Sequence, residues 1–240
     1  MPIVELPTRP NRIVIDLEKS SLLVIDMQNA FLSPGGMFDI LGFDVLRLRR
    51  VIVPCKVLLD YWRKAGLKVV FVRHVYSKDL SDAGGPESPN YWKELCLVLI
   101  RERPELKDKL LIEGSWGAEI VDDVRPLPGE PVVEKQRYSA FVNTELEELL
   151  KSFNAKYLFF TGVALNVCVE SAVRDAFFRE FWPIVVSDCC EAIGPKGARR
   201  ASLWNINQLF GWTTTSRNLI KVIKRFFPEK PLSRKGLHKS

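Results

Sequence analysis

The sequence predicts an α/β protein: three layers, α/β/α, around a doubly wound, mainly parallel sheet of six strands in a single domain. Short apolar runs alternate with longer segments of helical period, the pattern of strands joined by helical crossovers. The apolar runs carry almost no polar positions, which suits strands covered on both faces. No repeat or linker divides the 240 residues, a length that one domain with a large core accommodates.

Residues 1–12 read as an N-terminal extension, 13–227 as the domain and 228–240 as a mobile basic tail. Ser21-Leu22-Leu23-Val24-Ile25 is the first predicted strand. A helix follows over Asp44–Ala65, with Val45, Leu48, Ile52, Val53, Leu58, Leu59 and Trp62 at helical spacing and Gly66 as its stop. Lys68–Val72 and Pro131–Glu134 are the second and third strands. Between them, Ser77–Pro89 reads as a loop overhanging the sheet end, and Arg101–Lys109 as a charged connector. A helix over Asn143–Ser152 takes Asn143 or Thr144 as its cap. The run Tyr157-Leu158-Phe159-Phe160 is the fourth strand. A helix runs from near Asn166 to Phe181, then a strand over Pro183–Ser187, closed by Cys189 and Cys190 as packing residues. A helix over Pro195–Leu209, a strand over Trp212–Thr215 and a helix to Phe226 complete the domain.

Hydrophobic residues at 47% and charged residues at 27% are ordinary for a globular protein. No apolar stretch is long enough to span a bilayer, and the start has no basic-then-apolar leader. The expectation is a cytoplasmic chain with no membrane partner. Five cysteines without a C-x-x-C pair argue for reduced thiols and against a disulfide framework or structural zinc. Part of the net charge of +6 lies in the tail, where Lys230, Arg234, Lys235 and Lys239 face Glu229. A solubilising end explains that better than nucleic-acid binding, which is not expected.

Three residues carry the chemistry. Asp26 follows the first strand, Lys135 the third and Cys168 the fourth, and strand ends are where such folds gather working groups. Cys168 sits at a strand-to-helix junction, where the helix dipole favours the thiolate. A cation beside it stabilises that thiolate, and a carboxylate can take the thiol proton and return it. The set points to a cysteine nucleophile and covalent catalysis. Singly, each residue also fits a buried thiol, a loop cap or a structural ion pair.

Asp26-Met27-Gln28-Asn29, Lys135 with Arg137-Tyr138-Ser139-Ala140-Phe141, and Gly162-Val163-Ala164 with Asn166-Val167-Cys168 resemble the isochorismatase-like cysteine hydrolases. The likeness runs from about Ile13 to Phe226. It implies a catalytic triad of Asp26, Lys135 and Cys168. It implies a cis peptide between Val163 and Ala164, and an oxyanion hole made by the Ala164 and Cys168 N–H groups. Leu165 departs from a threonine common in that turn. The resemblance also implies a homo-oligomer, dimer or tetramer.

Gly35-Gly36, Ala83-Gly84-Gly85-Pro86, Ser88-Pro89-Asn90, Gly114-Ser115-Trp116 and Phe210-Gly211-Trp212 are similar to the ureidoacrylate amidohydrolase branch. That branch usually places an amide side chain and a tryptophan where His74 and Tyr76 stand here. The implied function is a cysteine amidohydrolase that cleaves a C–N bond of a small ureido or carbamoyl acid, or of an amide, through a thioester. N-carbamoylsarcosine-type hydrolysis and a non-catalytic metabolite-binding relative stay open. Gln28, His74, Tyr76, Trp116 and Tyr138 are the expected pocket for a small-molecule substrate, with His74 equally open to a structural role. No cofactor is needed by this chemistry. No metal is expected, because the Asp-and-several-His cluster of nicotinamidases is absent.

Overall fold

A computed structural model describes residues 3–227. The basic tail over 228–240, with His238, lies outside the described residues. Two short strands, β1 (Ile3–Leu6) and β2 (Ile13–Asp16), form an antiparallel ribbon. The main sheet holds β3 (Ser20–Ile25), β4 (Lys68–His74), β5 (Val132–Lys135), β6 (Tyr157–Val163), β7 (Trp182–Glu191) and β8 (Trp212–Thr214). Their order is β5-β4-β3-β6-β7-β8, and every pair is parallel. The chain lays β3, β4 and β5 outward in one direction, then returns to start β6 beside β3. The topological switch point, where open α/β sheets place their sites, lies between β3 and β6.

The longer helices are α1 (Ile52–Lys64), α2 (Leu95–Glu102), α3 (Leu146–Ser152), α4 (Glu170–Phe178), α5 (Ala198–Asn205) and α6 (Ser216–Phe226). Every residue of β3 and β6 is buried, and alternate side chains feed two separate cores. Leu22, Val24, Phe71 and Phe159 meet Leu58 and Trp62 of α1 and Leu219 of α6 on one face. Leu23, Ile25, Val70 and Phe160 meet Leu146 of α3 and Val173 of α4 on the other. The period-2 strand geometry thus yields the three layers. All five cysteines are free and buried. Among the described residues no helix is long and apolar enough to cross a membrane.

Several boundaries differ from the sequence expectation. The first long helix is split into an α turn (Val45–Leu48), a 3₁₀ turn (Arg49–Val51) and α1. Pro54 explains this: it has no N–H to give the Arg50 carbonyl, so the i+4 ladder is interrupted there. The helix expected from Asn143 starts at Leu146. Asn143 is left-handed, at φ 56°, and the Thr144 hydroxyl donates to the Ala140 carbonyl at 2.6 Å. The helix expected to reach Phe181 stops at Phe178, with Glu180 at φ 62°. Beyond α5 the chain continues as a π turn, Ile206–Phe210. Cys189 and Cys190 lie inside β7 rather than closing it.

One glycine is forced. Gly162 has φ 111°, and a Cβ there would sit 1.9 Å from the Ile25 carbonyl oxygen. The two strands that carry Asp26 and Cys168 approach too closely for any side chain. Gly162→Ala is therefore expected to cost about 3 kcal/mol or more, through backbone strain and overlap with a main-chain atom. At this size that corresponds to a fall in Tm of about 6–12 °C, measurable by thermal melts. A melt within a degree or two of wild type would refute the close approach.

Candidate active site

Asp26 is the first residue beyond β3. It adopts φ 52°, a left-handed turn that Asp tolerates better than most residues, and its N–H donates to the Val72 carbonyl at 2.9 Å. The turn buries its carboxylate completely. Lys135 is the last residue of β5, within the strand rather than after it, and pairs with His74 of β4. Cys168 lies in a π turn, Leu165–Val169, that leads into α4. The Ala164 carbonyl accepts the N–H groups of Val167 (3.0 Å) and Val169 (3.2 Å) and so closes that turn. The Val163–Ala164 peptide before it is cis. Leu165 is buried in the core against α3 and α4.

The three side chains converge. The Lys135 ammonium is 2.8 Å from an Asp26 carboxylate oxygen and 3.5 Å from Cys168 Sγ. Its third partner is the Arg137 carbonyl, at 3.1 Å, so all three donors of the ammonium are engaged. Burial pushes the Asp26 carboxyl up, against the pull of Lys135. Burial would lower the Lys135 ammonium, but Asp26 and Cys168 outweigh it and hold the group above its ordinary value. For Cys168 the expected lowering is corrected. Burial raises the thiol, and the Asp26 charge adds to that; Lys135 opposes it without winning. Burial thus favours the thiol form of Cys168 and makes the neighbouring Asp26 carboxylate more basic.

His74 ends β4 and is 1% exposed. Neither ring nitrogen has a hydrogen-bond partner. Burial, then the charges of Lys135 and Arg137, hold its pKa well below the ordinary 6.5 against an opposing interaction with the Gln136 backbone, which favours the neutral imidazole. His74, Asp26 and Cys168 bring one ligating atom each within 4.8 Å of one another. A metal ion there would compete with the Lys135 ammonium, which already balances Asp26 at 2.8 Å, so the donor set does not fit a resident cation.

Beside Cys168 lies a cavity of about 40 Å³. Phe31, Met37, Phe38, Leu95, Val167 and Ile193 form its apolar wall, and His74, Tyr138, Ala164 and Glu94 its other parts. Of the five expected pocket residues, His74 and Tyr138 line it. Gln28 does not. Its amide donates to the His74 and Ala118 carbonyls, each at 2.9 Å, and its oxygen accepts the His74 N–H at 2.8 Å. It is a strut that fixes the backbone of His74. Tyr76 sits behind His74, ring centroids 5.0 Å apart, with its hydroxyl donating to the Gln136 carbonyl at 3.2 Å. Trp116 is half-buried under the Lys109 ammonium, 4.6 Å away, and is also outside the lining.

Glu94 was missed. It caps α2, its carboxylate accepting the Leu97 N–H at 3.0 Å, and it is 2% exposed. The signal available was an acid directly before the apolar run Leu95–Ile100, a helix start. The expected loop over Ser77–Pro89 is tied by Asp82, which accepts from the Ser77 N–H and hydroxyl.

The isochorismatase domain profile matches residues 20–218. The chain belongs to the isochorismatase family. Among its family relatives is the ureidoacrylate amidohydrolase RutB of Cronobacter turicensis, 44% identical over 214 residues, covering 89% of this chain and 92% of that protein. The protein of the same name from Caulobacter segnis is 42% identical over 213 residues, 89% of each chain. Of the solved structures of isochorismatase-like folds, a cysteine hydrolase from Pseudomonas syringae pv. phaseolicola superposes with a TM-score of 0.73 at 26% identity, covering 94% of this chain and 98% of that one. The six-stranded parallel sheet with its helical layers is thus the isochorismatase-family fold.

Proposed function

We propose that the chain is a cysteine-dependent amidohydrolase that cleaves a C–N bond of a small ureido or carbamoyl acid, or of an amide, and releases ammonia or an amine. The observation that carries this reading is the meeting of Cys168, Lys135 and Asp26, at 3.5 and 2.8 Å from one ammonium, beside a cavity. The relatives named ureidoacrylate amidohydrolase support the reaction class.

Each step follows from the charges in place. Burial makes the Asp26 carboxylate more basic than a free one, so it is suited to take the Cys168 proton as a carbonyl approaches. Lys135 stays an ammonium throughout and stabilises the sulfur as it gains charge. The thiolate attacks the carbonyl carbon and an S–C bond forms. In this reading the Ala164 and Cys168 amides receive the oxyanion, and a water-poor site strengthens such donors. Protonated Asp26 then gives its proton to the departing nitrogen as the C–N bond breaks. A water, deprotonated by the same carboxylate, hydrolyses the thioester and restores the thiol. A ureido substrate would leave as a carbamate and decay to carbon dioxide and ammonia or amine.

An ammonia-release assay over ureidoacrylate, N-carbamoyl amino acids, nicotinamide and short amides tests the reading. Turnover of a ureido compound or amide is expected, and silence across the set counts against it. The pH profile adds a second check. Asp26 must be ionised to accept the proton, and burial holds it above its ordinary 3.8. The rate should fall as pH drops through that raised value, with one proton taken up. An acid limb of kcat/KM centred at or below 3.8 would contradict this assignment.

A further inference from the structure

We propose a second binding site: the cleft beside edge strand β8 takes a nucleoside polyphosphate, with Arg9, Lys196 and Arg200 holding the phosphates and the Trp204 indole covering the base. The cleft has a volume of about 840 Å³ and lies between segment 7–12 and helix α5, over Thr213 and Thr214 of β8. None of its lining residues lines the cavity beside Cys168, so the proposal stands apart from the amidohydrolase reading. Arg9, Arg12, Lys196, Arg199 and Arg200 all line it, and among the described residues no aspartate or glutamate does. Arg12 and Arg199 are already balanced. Arg12 pairs with Glu5 at 2.9 Å, and Arg199 lies 3.7 Å from Glu191 and donates to the Ser187 carbonyl at 2.6 Å. Among the described residues the side chains of Arg9, Lys196 and Arg200 have neither a hydrogen bond nor an ion pair. The neighbouring acid Asp188 is occupied by the N–H and hydroxyl of Ser216, at 2.8 and 2.5 Å.

Helix stability does not explain these cations. α5 begins at Ala198 with no side-chain cap and no acid in its first turn. Lys196, Arg199 and Arg200 crowd the positive end of the helix dipole, where negative charge is favoured. Like charges gathered around a concave surface focus a positive potential, and an anion with several oxygens relieves it. Arg9 is held in place for that task. Its main chain exchanges two hydrogen bonds with Thr213, at 2.8 and 3.0 Å, which fasten the segment to the sheet edge. Guanidinium forks match phosphate oxygens, and a lysine adds a point charge. The volume suits one small ligand, and unpaired cations on both sides of the cleft suit a chain of phosphates better than a single one. Trp204 is 58% exposed at the same cleft. An aromatic face left to solvent beside cations is the arrangement on which a nucleic-acid base stacks. Inorganic phosphate alone would leave that indole without a role.

Calorimetry on the full chain at fixed ionic strength tests this with ATP, inorganic tripolyphosphate and adenosine. ATP should bind at one site per chain, and adenosine about a hundredfold more weakly, since it lacks the charge. Lys196→Gln/Arg200→Gln should weaken ATP and tripolyphosphate alike by about tenfold or more. Trp204→Ala should weaken ATP by about fivefold or more and leave tripolyphosphate unchanged. Lys196, Arg200 and Trp204 are all exposed, so melting curves of these variants should match the wild type. Arg200→Lys, which keeps a cation, should retain most of the affinity. Cys168→Ala should bind ATP as the wild type does, which separates this site from the catalytic one. No saturable ATP binding would overturn the proposal. So would binding that ignores the double variant, or tripolyphosphate held as tightly as ATP. A short single-stranded oligonucleotide bound more tightly than ATP would make the cleft part of a nucleic-acid surface and overturn it too. Dissociation of an oligomer by the double variant, without ATP binding, would assign the cleft to a contact between copies and equally overturn it.

Discussion

Cys168→Ala should fold normally and lose turnover by a factor of about 10⁴ or more, since removal of a covalent nucleophile leaves only binding and oxyanion stabilisation. The loss is expected in kcat with little change in substrate affinity, because the side chain removed forms its new bond only during reaction. Fold should survive because Cys168 lies in a turn held by main-chain bonds to the Ala164 carbonyl, and alanine keeps the Cβ. Cys55→Ala and Cys96→Ala are the matched controls. Both thiols are buried, and neither lines the cavity, so activity should remain. Steady-state ammonia release on the three purified variants, with melting curves, checks this. Residual turnover within tenfold of wild type for Cys168→Ala would remove the nucleophile from the account.

Lys135→Met is expected to damage stability and rate together. The ammonium and the Asp26 carboxylate are both fully buried at 2.8 Å. Removing one partner strands the other charge, a loss of about 3–5 kcal/mol. The loss has a pH signature. Without the ammonium, the folded-state pKa of Asp26 rises further above its ordinary 3.8, because the neutral form needs no counter-ion. An acid with a raised folded pKa destabilises the fold once ionised, so the penalty is full above the folded pKa. It fades as pH falls and is gone below the unfolded value. The double variant Asp26→Asn/Lys135→Met should recover most of the stability at neutral pH and none of the rate. Urea unfolding at several pH values reads this directly; a pH-independent deficit, or no rescue by the double variant, would contradict the pairing.

Much of this arrangement was legible in the sequence because strand ends carry their own punctuation. Asp26 directly follows an apolar run, and Gly162 marks the turn before Cys168. Alternating apolar runs then place both at one rim of a parallel sheet. Lys135 was legible for the same reason, although it is the last strand residue and not the next one. What the sequence left hidden depends on the third dimension. Gln28 stands two residues from Asp26 and looks like a pocket group, but the left-handed turn at Asp26 sends its amide to the backbone of His74 and Ala118. Tyr76 follows His74 at strand spacing, yet it lies beyond the end of β4, behind the imidazole. Glu94 belongs to a long excursion between β4 and β5 that has no strand period, and only its folding over the sheet end brings the carboxylate to Cys168. The direction of the Cys168 shift was equally hidden, because sequence reveals the cation and the helix but not the depth of burial that outweighs them.

Cys168 should form a covalent acyl intermediate during turnover, and rapid-quench mass spectrometry of the protein reads it. A transient added mass equal to the acyl part of the substrate is expected, mapped to the peptide bearing Cys168 and absent from Cys168→Ala. Steady turnover with no adduct on that peptide, or an adduct on another cysteine, would contradict it.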